Sequence, residues 1–350
     1  MNKFLDEIFE QSSSLENTFG FYENDTGKSL LKRTLTLYNE KKFTEIIFTG
    51  MGSSYFTSYL TSCLLNEYGI RSYAINASEL LHYHFSLITA DTLLVCVSQS
   101  GESYEVIKIL QKLKPDITCL AITNEALSPL AQNSSVALLS KAGHEEMTSS
   151  KTYTSIALVM LISGWVLAGK WTKEMKMKVR QMIDNFNKLL NGYNNWMPEI
   201  TDFLGDYNFI EIIGRGPSYA SVLQGALMFK EAVRSPSEGI LGGDFRHGPM
   251  EMVKEGFRAI IFAPKGKTFD QSVKMAVDIA GFNGKVVLIT NADLRFSEPN
   301  IHVLQIPVED EYLFAVSGVI PLQFIVISRA LDLGLKPGYF TRGAKVTKEE

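Results

Sequence analysis

The chain is short of cysteine, of histidine and of any concentrated charge. Its 350 residues hold three cysteines, Cys63, Cys96 and Cys119. An odd count without metal-ligand spacing argues against both a disulfide framework and a cysteine-built zinc site. Two of the three sit in apolar, strand-like runs, where cysteine behaves as a small hydrophobe. Such usage fits a reducing, cytoplasmic compartment. The five histidines form no cluster, and no metal is expected. Lys and Arg number 34 against 38 Asp and Glu, for a net charge of -4. They are scattered, so nothing resembles the basic stripe a nucleic-acid partner needs. Neither G-x-x-x-x-G-K-S/T nor G-x-G-x-x-G opens a helix, which removes the two familiar nucleotide loops. The start, Met1-Asn2-Lys3-Phe4-Leu5-Asp6-Glu7, is acidic and amphipathic, unlike a signal or transit peptide. The segment 155–169 is almost free of polarity, but it is bounded by Lys151 and Lys170 and falls short of the ~20 residues that cross a bilayer. Apolar all round, it reads as a buried core helix, and no membrane partner is expected.

What remains is an ordinary globular composition, 45% hydrophobic and 21% charged, long enough for two domains. Apolar runs of four to six residues alternate with helical patterns, the βαβ signature of parallel sheets flanked by helices. The pattern is duplicated. Glu45-Ile46-Ile47-Phe48-Thr49-Gly50-Met51-Gly52-Ser53-Ser54-Tyr55 is echoed by Glu211-Ile212-Ile213-Gly214-Arg215-Gly216-Pro217-Ser218-Tyr219. Leu120-Ala121-Ile122-Thr123-Asn124 recurs as Val287-Leu288-Ile289-Thr290-Asn291, and the strand ending at Val97 recurs as Ala259-Ile260-Ile261-Phe262. A register held over three elements marks a repeat. The expected division is a helical arm over 1–40, a first domain over 41–171, a helical linker over 172–203, a second domain over 204–335 and a tail over 336–350.

The two copies differ where it matters. After the apolar run 93–97 the first has Ser98-Gln99-Ser100-Gly101-Glu102-Ser103, followed by a segment that reads as helix over 105–113. A buried strand opening through hydroxyls and a glycine into a helix N-terminus is suited to an anion. The competing reading is ordinary helix capping by serine. The second copy has Ala263-Pro264-Lys265-Gly266, where proline removes a donor and the hydroxyls are gone. There the candidates are acid–base groups. Leu223, Leu227 and Glu231 follow at i+4 steps, which puts the carboxylate on an apolar stripe with a raised pKa expected. A structural glutamate paired with Arg234 is the alternative. His247 ends a breaker-rich loop at 235–249, where an imidazole can serve as an acid–base group; as a lone histidine it reads equally as a cap or surface group. His82 and His84 flank Tyr83 at a surface or interface. Thr148-Ser149-Ser150-Lys151-Thr152 either supplements the anion site or caps the apolar helix.

Together these residues resemble the sugar isomerase (SIS) domain family, and most closely the isomerase part of glucosamine-6-phosphate synthase, along almost the whole chain. Glu7-Ile8-Phe9-Glu10-Gln11 resembles the family's opening motif, with Ser12 where proline is usual. Gly52-Ser53-Ser54-Tyr55 and the run from Ser98 to Ser103 resemble its phosphosugar-binding turns. Ser149-Ser150-Lys151 resembles its Ser-Thr-Lys stretch. Gly225-Ala226-Leu227-Met228-Phe229-Lys230-Glu231 and Gly243-Asp244-Phe245-Arg246-His247-Gly248-Pro249 resemble its catalytic helix and His-Gly-Pro loop. Gly343-Ala344-Lys345-Val346-Thr347 resembles its C-terminal lysine motif with a one-residue shift.

The resemblance implies an α/β fold of two tandem SIS domains, each a flavodoxin-like three-layer sandwich. It also implies a homodimer with active sites shared between subunits, and no cofactor. Ser53, Ser54, Ser98, Gln99, Ser100 and Ser103 would hold a sugar phosphate, with Gly52, Ser149 and Ser150 also binding substrate. Glu231 would move a proton between C1 and C2 of the open-chain sugar, His247 would assist ring opening, and Lys345 would close over the substrate and can form an imine. Two departures stand out: no glutamine amidotransferase segment or early cysteine precedes the isomerase motifs, and Met228 replaces a lysine one turn before Glu231. They point to deglycation or deamination of an amino-sugar phosphate, with Met228 as a less charged wall beside C1 or C2. A plain aldose–ketose isomerase and a non-catalytic phosphosugar-binding regulator are the alternatives.

Overall fold

The computed structural model describes every residue except Met1, Gly343, Lys348 and Glu350; Gly343 of the tail motif thus lies outside the described residues. The apolar runs form two sheets, parallel throughout. The first contains β1 (Glu45–Gly50), β2 (Ser72–Asn76), β3 (Thr92–Val97), β4 (Thr118–Thr123) and β5 (Val136–Leu139) in the order β2-β1-β3-β4-β5. The second contains β6 (Ile210–Gly214), β7 (Ser237–Leu241), β8 (Arg258–Ala263), β9 (Lys285–Thr290) and β10 (Ile301–Gln305) in the order β10-β9-β8-β6-β7. Read from its β7 edge, the second sheet repeats the first, and both have the flavodoxin-like order. The internal repeat therefore pairs β1 with β6, β3 with β8 and β4 with β9. The α/β architecture expected from the sequence is the one observed.

The chain divides into two compact units. The first comprises Glu10–Met177 and Phe340–Glu350; the second comprises Met1–Phe9 and Lys178–Tyr339. In the first, one sheet face sends Ile47, Leu94, Cys96 and Ala121 into a cluster with Leu80, Val106, Ile109 and Leu130. Alternate strand residues point the other way, toward the layer containing the helices Ser53–Glu67 and Lys151–Leu167. All 17 residues of Lys151–Leu167 are buried, as expected of a helix apolar on every side. In the second unit Ile213, Ala259, Ile261 and Leu288 pack with Phe245, Met275 and Ile279. The stretch Glu311–Asp332, with 22 residues, has the length and apolarity to cross a membrane, yet 94% of its apolar window is buried inside the protein, as in a core helix.

Some local expectations shift. The helix after the serine-rich loop runs Tyr104–Lys112, and its apolar helix counterpart starts at Lys151, inside the hydroxyl stretch. The segment 235–249 is not a continuous loop. Ser237–Leu241 is the β7 edge strand, in parallel register with β6 from Ile210↔Ser237 to Gly214↔Leu241, and a short helix, Gly242–Arg246, follows. Pairing with a buried neighbour overrode the local breakers, because Gly239 is tolerated on an edge strand and Pro236 lies just before it.

In each sheet the strand order reverses once, between β1 and β3 and between β6 and β8. Ligands of such sheets bind outside the carboxyl ends of the strands at that point. The two glycine turns and the serine-rich loop all lie at these ends.

Candidate functional site

The first unit's switch point is built from the turn after β1 and the loop after β3. Gly50 permits a close approach: a Cβ there would lie 2.7 Å from the Val97 carbonyl oxygen and 2.8 Å from the Ser54 Cβ. The helix Ser53–Glu67 starts beyond Gly52 with no side-chain cap, and Ser53 and Ser54 are half-buried in its first turn. Across from it, the buried Ser98 hydroxyl and the Ser103 hydroxyl are 2.9 Å apart, and the Gly101 N–H donates to Ser98 Oγ at 3.1 Å. Gly101 adopts φ +65, and a Cβ on it would meet Ser128 Oγ at 2.1 Å, so only glycine fits. Ser103 occupies the N-cap position of Tyr104–Lys112 but makes no capping bond with its side chain. The capping alternative therefore fails at the residue where it applied. These hydroxyls are tied to one another, and the half-buried Gln99 and Ser100 complete the loop.

The tail joins this unit. The Tyr104 N–H donates to the Thr347 carbonyl at 3.2 Å, on the first turn of the loop's helix. Lys345 donates to Met147 O at 2.6 Å and to Ser149 Oγ at 3.4 Å, and it forms an ion pair with Glu145. The structure thus brings Lys345 to the Ser149-Ser150 stretch. Glu145, whose side chain has no exposed surface, was not singled out by sequence. It accepts from the backbone N–H of Ser150 at 2.9 Å and of Thr152 at 3.1 Å, which caps the apolar helix from outside. Its place in the polar run His144-Glu145-Glu146 hid it. A carboxylate a few residues ahead of an uncapped, hydroxyl-rich helix start was the available signal. The buried Lys151 pairs with Glu10, and Thr154 Oγ1 lies 3.4 Å from Gln11 Oε1, so part of the opening motif serves this helix.

Replacing Glu145 by glutamine removes the charge from a buried group with several partners. We expect a loss of about 2 kcal/mol in unfolding free energy, measured by denaturant titration, with the tail becoming sensitive to proteolysis. An unchanged midpoint with a protected tail would refute this coupling.

In the second unit, the helix Tyr219–Met228 runs into a π-helical turn, Phe229–Val233, that carries Glu231. Arg234 then takes a left-handed conformation at φ 57, and the helix ends. Single π-turns are rare and concentrate at functional positions; periodicity at 3.6 residues could not reveal one. Leu223, Leu227 and Glu231 are all half-buried, so the stripe is real but borders the surface rather than the interior. Met228 is fully buried, which corrects its reading as a wall beside a sugar: a side chain without accessible surface lines no open crevice. His247 is exposed at the end of the helix Gly242–Arg246, where Arg246 is anchored to Asp278 at 2.6 Å. Burial and the two basic partners act in opposite directions on Asp278, and Arg246 and Lys274 prevail, holding its carboxyl below the usual range. His82, Tyr83 and His84 are exposed. Among the described residues no group of three or more His, Cys, Asp or Glu is placed to hold a metal ion. A cavity of about 460 Å³ lies along β2, lined by Tyr59, Asn66, Tyr73 and Leu87, but no residue of the serine-rich loop lines it.

The fold defines a doubly wound α/β protein with a serine-rich loop at one of two switch points. The chain belongs to the SIS domain family, whose model matches residues 37–164 and 205–331. It is 27% identical over 342 residues to the glutamine--fructose-6-phosphate aminotransferase (isomerizing) of Pyrococcus horikoshii, covering 95% of this chain and 55% of that one. The chain thus spans about half the length of the curated relatives it matches. Among solved structures it resembles the C-terminal domain of glucosamine-fructose-6-phosphate aminotransferase from Francisella tularensis, with a TM-score of 0.81 at 22% identity over 95% of this chain and 96% of that one. Glucosamine-6-phosphate deaminase from Thermotoga maritima aligns over 99% of both chains with a TM-score of 0.75 at 22% identity. At these identities the two structures speak for the fold.

Proposed function

We propose that this protein is an enzyme of phosphosugar metabolism that releases the amine from a 6-phosphorylated amino sugar or ketosamine. The observation that carries the phosphate part is the serine-rich loop, whose hydroxyls bridge one another instead of capping the helix behind them. Donors held in place before the ligand arrives lose little freedom when a phosphate binds. Ser98, Gln99, Ser100 and Ser103, with Ser53 and Ser54, then hold the phosphate, and Gly52, Ser149 and Ser150 border the rest of the substrate.

Glu231 takes a proton from the nitrogen-bearing carbon, which lies beside the carbonyl carbon of the open-chain form, giving an enolamine. It returns the proton to the neighbouring carbon, giving an imine. Water adds across that C=N bond, and the C–N bond breaks to leave a sugar phosphate and a free amine or ammonia. His247 assists ring opening, and Lys345, held by Glu145, closes over the sugar. The amino-sugar assignment draws on the curated relatives, whose names place them on fructose 6-phosphate and on amino transfer. A homodimer with shared sites accompanies this reading.

The test is an assay of ammonia or free amine from glucosamine 6-phosphate and from 6-phosphofructosyl amino acids. Release from either is expected. Sugar interconversion without release would replace this reading by the aldose–ketose isomerase, and binding without turnover by the regulator. Ser98→Ala should weaken binding of fructose 6-phosphate about tenfold in titration calorimetry, the loss of one hydroxyl partner worth ~1.4 kcal/mol. Unchanged affinity would remove the loop from the site.

A further inference from the structure

The second unit has its own switch point, between β6 and β8, and a side chain of this chain already occupies it. After β6 runs Gly214-Arg215-Gly216-Pro217-Ser218, the counterpart of Gly50-Met51-Gly52-Ser53-Ser54; after β8 runs Ala263-Pro264-Lys265-Gly266, the counterpart of the serine-rich loop. Against both turns lies the carboxylate of Glu311, in the first turn of the helix Glu311–Ser317. A Cβ built on Gly266 would lie 2.5 Å from Glu311 Oε2 and 3.1 Å from Oε1, and one on Gly216 would lie 3.8 Å from Oε1. The carboxylate therefore lies against backbone at the place that corresponds to the serine-rich loop of the first unit.

The surroundings suit an anion. Helical turns begin at Gly216, leading into Tyr219–Met228, and at Phe269, opening Phe269–Gly281 behind an N-cap residue whose side chain makes no capping bond. Their positive ends favour negative charge. Ser218 stands where Ser54 stands in the first unit. It is fully buried, and its Oγ has no hydrogen-bond partner. The Arg215 Nε, on the same turn, is also buried and without a partner. Buried polar atoms in a native fold are nearly always satisfied; the Arg215 guanidinium lies on the β7 side, against Gly242 and Gly243, so the orphaned Ser218 hydroxyl is the one that marks this turn as a cradle for a group larger than a carboxylate.

We propose that Glu311 is a built-in stopper: its carboxylate stands in for the phosphate of the second crevice, so that each chain offers one phosphosugar loop. Removing it opens a second site for a phosphate monoester or inorganic phosphate. This rests on reading the first crevice as a phosphate site, since the comparison between the two repeats defines what is being replaced.

The experiment compares the full wild-type chain with Glu311→Ala and Glu311→Gln, by thermal unfolding in inorganic phosphate and in chloride at matched ionic strength. Glu311→Ala is expected to unfold at lower temperature in chloride and to gain roughly 3 °C more than wild type from phosphate at ten times its dissociation constant. Adding Ser218→Ala should abolish that extra gain. Glu311→Gln fills the crevice without charge, so it should be destabilised and show no extra gain. If Glu311→Ala folds poorly, its refolding yield in phosphate against chloride gives the same comparison. An equal response to phosphate in wild type and Glu311→Ala overturns the proposal, as do two titratable phosphosugar sites per wild-type chain. The parent reading fails separately: Ser98→Ala would then leave the wild-type response unchanged, whatever Glu311→Ala does.

Discussion

Glu231→Gln is expected to lower turnover of the sugar phosphate by about 10²–10⁴-fold, with its binding nearly unchanged. Glutamine keeps the volume and the hydrogen-bonding reach of glutamate but cannot accept and return a proton at neutral pH. The position supports this role. Glu231 sits half-buried on the π-turn that ends the helix Tyr219–Met228, with Phe229, Ala232 and Val233 buried around it on the same turn. Buried neighbours fix the turn, so the carboxylate is presented at the surface of the unit by a rigid element. A π-turn widens the helix by one residue and displaces the side chain from where an α-helix would place it. The Glu231→Gln variant should unfold at the wild-type temperature, because only a half-buried group changes charge. Turnover and affinity measured together separate the alternatives. A loss of affinity at unchanged turnover would make Glu231 a binding group, and unchanged values of both would remove it from the mechanism.

The sheets and their order were legible because a parallel strand buried on both faces announces itself as an apolar run, and the repeat set three of them in register. The β7 edge strand was not legible. It holds Ser237, Glu238 and Gly239, and it exists because β6 offers a free edge, a fact about the neighbour and not about the segment. The serine-rich loop was legible as the link between a buried strand and a helix, yet its internal bonding was not: that Ser98 bonds Ser103, and that Ser103 does not cap, depends on how the loop folds back at Gly101. Glu145 and Glu311 went unseen for a common reason. Each meets a distant part of the chain, Glu145 the side chain of Lys345 and Glu311 the turn at Gly266, and no local pattern records such a meeting, although Glu145's bonds to Ser150 and Thr152 left a local signal. Met228 shows the reverse error. The family resemblance assigns this residue a role at the sugar, and burial removes it from any open crevice.

Glu211 carries the second large effect, and here the measurement is pH-dependent stability. It opens the second copy of the repeat, on β6, with no exposed surface and with neither carboxyl oxygen hydrogen-bonded. Desolvation, with a smaller contribution from Glu238 opposite it in register on β7, pushes its pKa up to about 8. The folded value therefore lies above the unfolded one, so the folded state holds a proton that the unfolded state has given up between about pH 4.5 and 8. The stability associated with this group is fully present below pH 4.5, declines by roughly 1.4 kcal/mol per pH unit across that window, and is lost above pH 8. The whole effect is on the order of 3–6 kcal/mol. Glu211→Gln removes the titration. The variant should match wild type near pH 5 and exceed it near pH 9 by several kcal/mol, a gap of about 10 °C in unfolding temperature for a unit of this size. Thermal unfolding of both proteins at half-unit steps from pH 5 to 9.5 reads this directly. Parallel profiles would mean that Glu211 does not hold its proton in the folded state, and that the strand satisfies its charge by a route other than neutralisation.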